Sequence, residues 1–250
     1  DEAKKFAKLL SFNHKMVVHT PKLYAKFWKK TVEALEEPMY NPSLPMYAHM
    51  NDVMSKHGIV VTLAGDMGDE LLGGYQRVNE SLRPKSFLKS FLGRGFYEVL
   101  PSFLGTGNNF LKNSNNLSEA YSSYLTDNKF AKLLSIKSED INLENYFGHN
   151  EDNYKKLMIA EYKFFLSEMM LFKVDRTSMA NSLEVRSPFL DHHLSDFAWS
   201  TPLEWRIENN KGKHILRDLL YQHVPKKIID RPKQGFGLPV NDWIRGPLKD

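Results

Sequence analysis

The chain has 250 residues, of which 42% are hydrophobic and 26% charged, with a formal net charge of +4 at pH 7. That length suits one or two domains with a real core. The charge is mild and mixed in sign, with no basic stripe, so no nucleic-acid partner is expected. No apolar run approaches the roughly 18 residues that a membrane span requires. No signal peptide opens the chain, so a cytoplasmic location is the expectation. The absence of cysteine excludes a disulfide framework and thiol chemistry in this piece.

In chain order, residues 2–12 read as an amphipathic helix and His14-Lys-Met-Val-Val-His19 as a short strand. Thr20 is a candidate cap, with Pro21 in the first turn of a helix running to about Leu35. Pro38, Pro42 and Pro45 make the stretch around 36–43 a loop. Residues 45–57 read as helix. The apolar and β-branched run Ile59-Val-Val-Thr-Leu63 then reads as a strand buried on both faces. This β–α–β order implies a right-handed crossover and parallel pairing.

That strand empties into Ala64-Gly-Asp-Met-Gly-Asp-Glu70, and Gly73-Gly74 precede Tyr75. In open α/β sheets ligands bind at this end of the strands. Small residues at Ala64 and Gly65 would let a flat ring or a phosphate approach the backbone. Clustered carboxylates are costly neighbours unless a cation joins them, and Mg²⁺ held by carboxylates and substrate phosphates is one such arrangement. The alternative is a tight turn and a helix whose first turn is merely acidic; Glu70 fits that second reading equally well.

Residues 81–150 hold few strand signals, and the asparagines at 108–109 and 113–116 mark a polar turn region, a candidate lid or insertion. Residues 151–172 read as a long apolar core helix. From 189 onward, short helices alternate with proline-broken turns. No internal repeat is evident.

Two further segments carry the functional reading. One is Lys173-Val-Asp-Arg-Thr-Ser-Met-Ala180 followed by Ser182-Leu-Glu-Val-Arg-Ser-Pro-Phe-Leu-Asp191. The other is Gly212-Lys-His-Ile-Leu-Arg217 followed by Arg231-Pro-Lys-Gln-Gly-Phe-Gly-Leu-Pro239. With the glycine-acid loop, they resemble the synthetase domain of glutamine-dependent asparagine synthetases. That family shows SGEGADELFGGY or SGDGGDELFGGY, then KVDRASMA…EVRxPFLD, then GK..LR, then RPKQGFG.P. Order and spacing agree along the whole chain.

The resemblance implies an α/β fold: part of a parallel-sheet nucleotide-binding domain of the PP-loop, adenine nucleotide α hydrolase-like kind, with a large helical C-terminal portion. The α/β part would span 1–80 and the mainly helical part 81–250, within a single partial domain. It also implies ATP and Mg²⁺ as cofactors, aspartate as substrate, and ammonia delivered from a glutaminase domain outside this chain. No membrane association is implied, and a homodimer is compatible with it. The family's upstream SGGxDS loop and N-terminal nucleophilic cysteine do not occur here, so the chain reads as a C-terminal fragment, inactive alone. The alternatives are an amidotransferase of a surface-sugar or antibiotic pathway and a non-catalytic relic of the fold.

By the same resemblance, Ala64 and Gly65 lie against ATP, and Asp66, in place of the commoner Glu, supports adenylate formation. Asp69 takes the Mg²⁺ position. Lys173 and Lys213 are the cations that act on the phosphates, where a lysine serves as a compact point charge. Asp175 and Arg176 are substrate contacts or a structural ion pair. Glu184 is a candidate substrate contact, read mainly with Arg186 and Asp191 as a buried salt-bridge network shaping the pocket wall. Arg231, Lys233, Gly235 and Gly237 form a basic loop able to close over phosphates or to remain a surface turn.

Overall fold

The structure, a computed structural model, describes residues 2–37, 39, 41–75, 78, 121, 146, 152–209, 211–230 and 237–249. The candidate lid at 81–150 and the basic residues Arg231 and Lys233 lie outside the described residues, save for isolated positions. The chain divides into two compact units. The first comprises residues 1–65, 170–188 and 216–250; the second comprises 66–169 and 189–215. Among the described residues, no helix is long and apolar enough to cross a membrane.

The first unit opens with helices α1 (Glu2–Leu9), α2 (Pro21–Leu35) and α3 (Leu44–Lys56). α1 (Glu2–Leu9) stops short of residue 12 because Ser11 turns left-handed at φ 54°. The Phe12 N–H then returns to the Ala7 carbonyl at 2.8 Å, the closing bond of a Schellman cap. α2 (Pro21–Leu35) starts as its sequence dictates: Thr20 Oγ1 accepts from the Leu23 N–H at 3.3 Å, and Pro21 fills the first turn. Tyr24, Phe27, Thr31 and Leu35 form its buried stripe at helical spacing. That stripe meets Leu44, Ala48 and His49 of α3 (Leu44–Lys56) and the buried face of α6 (Phe172–Met179). Asn51 donates to Thr177 Oγ1 at 3.3 Å, and Thr177 donates to the Lys173 carbonyl at 2.8 Å, so the polar atoms in this interface are satisfied.

The same unit holds a parallel pair, β1 (Val61–Leu63) with β2 (Glu184–Arg186), in the register Val61↔Glu184 to Leu63↔Arg186. Two expectations change here. The segment 14–19 forms no strand, so β1 pairs across to β2 and not with it. Nor is β1 buried on both faces: Val60 is 66% and Leu63 73% exposed. Among the described residues β1 has one neighbouring strand, and one ladder leaves the second edge and much of both faces uncovered.

The second unit begins with α4 (Gly68–Leu72) and continues in α5 (Asn153–Ala160), which Asp152 caps by accepting from the Lys155 N–H at 2.8 Å. The expected long helix is present, but it widens to π register over Glu161–Leu171 before returning to α in α6. A π register of 11 residues is unusual, and no side-chain contact explains it. The core gathers Val78, Tyr121, Tyr154, Leu157, Met158 and Ala160, with Tyr75, Trp199 and Ile207 against it. α7 (His192–Ser200), α8 (Leu203–Arg206) and a hairpin of β3 (Ile207–Glu208) with β4 (Lys211–Gly212) complete the unit. α9 (His214–Tyr221), α10 (Lys226–Ile229) and α11 (Val240–Arg245) follow, and from Leu216 onward the chain belongs to the first unit.

Phe27 is 3% exposed at the centre of the α2–α3 interface. Phe27→Ala is expected to destabilise the first unit by about 3–5 kcal/mol. Denaturant unfolding measures this; a change under about 1 kcal/mol would mean that the interface is not this unit's core.

Candidate active site

The second unit brings two sequence motifs together by removing side chains from between them. Met67, buried at φ 73°, turns the chain into α4. Gly68 lies under Phe189, where an added Cβ would stand 3.3 Å from the ring. The Pro-Phe-Leu segment thus packs on the start of the acidic helix. α4 ends at Gly73, left-handed at φ 66°, and the Gly74 N–H bonds the Asp69 carbonyl at 2.9 Å.

Against this turn lies the β3–β4 hairpin, reversed through Asn209 at φ 50°. A Cβ at Gly212 would fall 1.8 Å from the Gly73 carbonyl oxygen, a backbone atom with nowhere to go. A Cβ at Gly74 would fall 1.9 Å from Asp69 Oδ1 and 2.5 Å from Lys213 Cε. Gly73 itself is overhung by Ile207 and by the Tyr154 hydroxyl, each 2.9 Å from where a Cβ would sit. Lys213, left-handed at φ 61°, donates its backbone N–H to the Leu72 carbonyl at 2.7 Å. Its Nζ lies 3.1 Å from Asp69 Oδ2, both side chains about one-third exposed or less. A carboxylate and an ammonium are therefore held side by side, reachable from solvent, on a wall that three glycines keep bare.

Asp69's neighbour points elsewhere. Glu70 is 3% exposed and accepts a 2.6 Å bond from the Tyr75 hydroxyl. Burial pushes its carboxyl above the usual range; the Tyr75 bond opposes that shift. Burial also drives the Tyr154 hydroxyl up to about 12.

The remaining expected residues belong to the first unit, except Asp66 and Asp191. Ala64 donates its N–H to the Arg186 carbonyl at 2.9 Å, and an added Cβ at Gly65 would meet nothing within 4 Å. Asp66, half-buried, opens the turn into α4. Lys173 is buried at 3% exposure, its Nζ 4.3 Å from the Tyr47 ring centre and 3.6 Å from Met170 Sδ. Asp175 is exposed, while Arg176 reaches Glu36 at 3.2 Å, so its ion pair is with Glu36.

The expected buried network of Glu184, Arg186 and Asp191 is not there. Glu184 and Arg186 form a 2.8 Å pair on the strand surface, both more than half exposed. Asp191 instead caps α7, accepting from the backbone N–H groups of His193 and Leu194 at 3.0 and 3.3 Å. The three-residue β2 alternates, placing Glu184 and Arg186 on the same outward face.

Sequence reasoning missed the hairpin and the Glu70–Tyr75 bond. Asn209, tolerant of left-handed backbone, signalled the first; no local pattern signals the second. Among the described residues there is no cluster of three or more histidine, cysteine or acidic side chains able to hold a metal.

This arrangement of motifs has relatives. The asparagine synthase family profile matches residues 1–250, and the chain belongs to that family. It is 26% identical to the glutamine-hydrolysing asparagine synthetase 1 of Bacillus subtilis, covering all of this chain and 42% of that protein. Asparagine synthetase 3 of the same organism is 28% identical over 87% of this chain and 35% of its own length. The human glutamine-hydrolysing asparagine synthetase is 40% identical over 34% of this chain and 17% of its own. The chain thus spans less than half the length of these relatives.

Two stability predictions follow from the site's packing. Gly212→Ala, which meets backbone, is expected to destabilise the second unit by about 2–3 kcal/mol or more. Gly74→Ala should cost less, because the atoms it meets are the side chains of Asp69 and Lys213, which can move away. Denaturant unfolding with a probe in this unit decides; equal, near-zero effects would show that the two turns are not interlocked. Tyr154 tests the burial. Its pKa is raised, so its neutral form is favoured by the fold; that stability is fully present below pH 10 and is lost as pH rises through about 12. Tyr154→Phe should abolish this alkaline loss, of order 2–3 kcal/mol, and an unchanged alkaline unfolding curve would contradict the assignment.

Proposed function

We propose that the chain supplies the adenylate-forming centre of an ATP-dependent amide synthetase. It would join aspartate to ammonia, released from glutamine by a glutaminase domain, and yield asparagine, AMP and pyrophosphate. The observation that supports this most directly is the Asp69–Lys213 contact at 3.1 Å. It sets the acid of one motif and the lysine of another on a glycine-lined wall.

A carboxylate is a poor electrophile, so the substrate must be activated before ammonia can attack. A side-chain carboxylate oxygen of aspartate would attack the α-phosphorus of ATP, and pyrophosphate would leave. Ammonia would then attack the acyl carbon, the bond to AMP would break, and the nitrogen would lose a proton. In the first step negative charge grows on the leaving pyrophosphate. Lys213 would be the cation that meets it, and a preformed charge acts most strongly on charge that appears in the transition state. Lys173 is the second cation, held by its buried stem. Asp66 would act toward aspartate and the adenylate. Ala64 and Gly65 would receive the nucleotide, and the open space above Gly65 suits that role.

Asp69 would supply one carboxylate to Mg²⁺. That fits an ion coordinated chiefly by phosphate oxygens and water, whose contribution is to neutralise phosphate charge. Asp175, Arg176 and Glu184 are assigned to aspartate binding. The exposed ion pairs made by Arg176 and Glu184 contribute little and are easily exchanged for a ligand.

The test is pyrophosphate release by the full-length protein with excess ammonia. Lys213→Ala should lower kcat by roughly 100-fold or more with a much smaller effect on aspartate binding. Asp69→Asn should be partly rescued by raised Mg²⁺, whereas Asp66→Asn should not. Near-normal turnover for Lys213→Ala, or an unchanged Mg²⁺ dependence for Asp69→Asn, would remove these assignments.

A further inference from the structure

We propose that Glu70 and Tyr75 are a positioning pair: their part-buried hydrogen bond closes the turn through Gly73 and Gly74 and so holds Asp69 against Lys213. The functional part of this inference rests on the reading above; its structural part does not.

α4 is five residues long, well under the length at which a helix persists by itself. It is followed by two glycines, the residues whose ordering costs most backbone entropy. Yet Asp69 must be held where its Oδ2 meets Lys213 Nζ. Asp69 and Glu70 are consecutive helical residues, so their side chains diverge by about 100° around the axis. Asp69 faces the solvent-reachable wall, and Glu70 faces inward at 3% exposure. The Tyr75 hydroxyl reaches back across the whole turn to Glu70 Oε1 at 2.6 Å. This bond closes a loop over residues 70–75 that contains both glycines. Tyr75 is itself anchored: its ring packs on the core cluster and meets Phe165 edge-on at 5.6 Å.

The pair is also electrically linked to the site. Among the described residues, the charged and titratable groups acting on Glu70 are Asp69 and Tyr75 in its own segment and Lys213 from the chain that follows β4; Asp69 raises its carboxyl, while Lys213 and Tyr75 lower it. α7, which also packs on α4, carries His192, His193 and Asp196, all solvent-exposed. A charged acceptor makes the stronger bond.

The first measurement is amide hydrogen exchange on this chain at neutral pH. Tyr75→Phe should speed exchange of the Gly74 and Lys213 N–H groups by about tenfold or more, since each is locked by the turn. The Ala64 N–H, bonded to Arg186 in the first unit, should be unaffected and reports that the chain is folded. Glu70→Gln, which keeps a neutral acceptor, should give a smaller increase. Unchanged Gly74 and Lys213 exchange in Tyr75→Phe would overturn the proposal.

The second measurement is steady-state pyrophosphate release by the full-length protein. Tyr75→Phe should lower kcat with KM for ATP little changed. Glu70→Gln, which keeps a neutral acceptor for the Tyr75 hydroxyl, should lower kcat less than Tyr75→Phe does. A purely packing role would lower stability and leave kcat of the folded variants unchanged, and that result would overturn the positioning role. If the wild-type protein releases no pyrophosphate, the functional reading fails, and the exchange data alone decide whether the pair holds the turn.

Discussion

The site depends on two places where a side chain is missing. Gly74 leaves room for the Asp69–Lys213 contact, and Gly212 lets the chain before Lys213 lie directly on the Gly73 carbonyl. Backbone approach this close is available to no other residue. The Leu72–Lys213 backbone bond then fixes the register of one turn on the other. Remove that contact and the acid and the cation have no reason to meet, because neither is carried by a long element.

The same corner concentrates left-handed backbone. Met67, Asn209 and Lys213 all adopt positive φ without being glycine. Such conformations cost on the order of 1–3 kcal/mol each and persist where the surroundings over-determine them. Here burial supplies the restraint: Met67, Leu71 and Leu72 are each under 10% exposed, and Phe189 covers Gly68. The strain lies on the residues that carry or flank the paired charges, as expected of a preorganised site and not of a loosely tethered surface turn.

Much of the local structure was legible in the sequence. Thr20 and Pro21 marked the start of α2, and the spacing of Tyr24, Phe27, Thr31 and Leu35 marked its buried face. The four motifs marked the family, which the match over residues 1–250 bears out. What could not be read was non-local. His14–His19 has strand composition, yet a strand exists only where a neighbour pairs with it. Ile59–Leu63 looks like a doubly buried strand for the same compositional reason, and its faces stay exposed with one partner. Glu184 and Arg186 resemble a buried network because they flank an apolar knot; strand alternation sends both outward. The glycines of GGY and GK are visible separately, but no spacing rule says that they touch.

The direct test of this account is a double-mutant cycle on stability, with Asp69→Asn, Lys213→Met and the pair, unfolded in denaturant at low and moderate salt. The two charges are held in contact by the backbone, so the account predicts a favourable coupling of about 0.5–1 kcal/mol at low salt that shrinks as salt rises. Strictly additive effects at every salt concentration would mean that the two side chains do not meet in solution and would contradict the central arrangement.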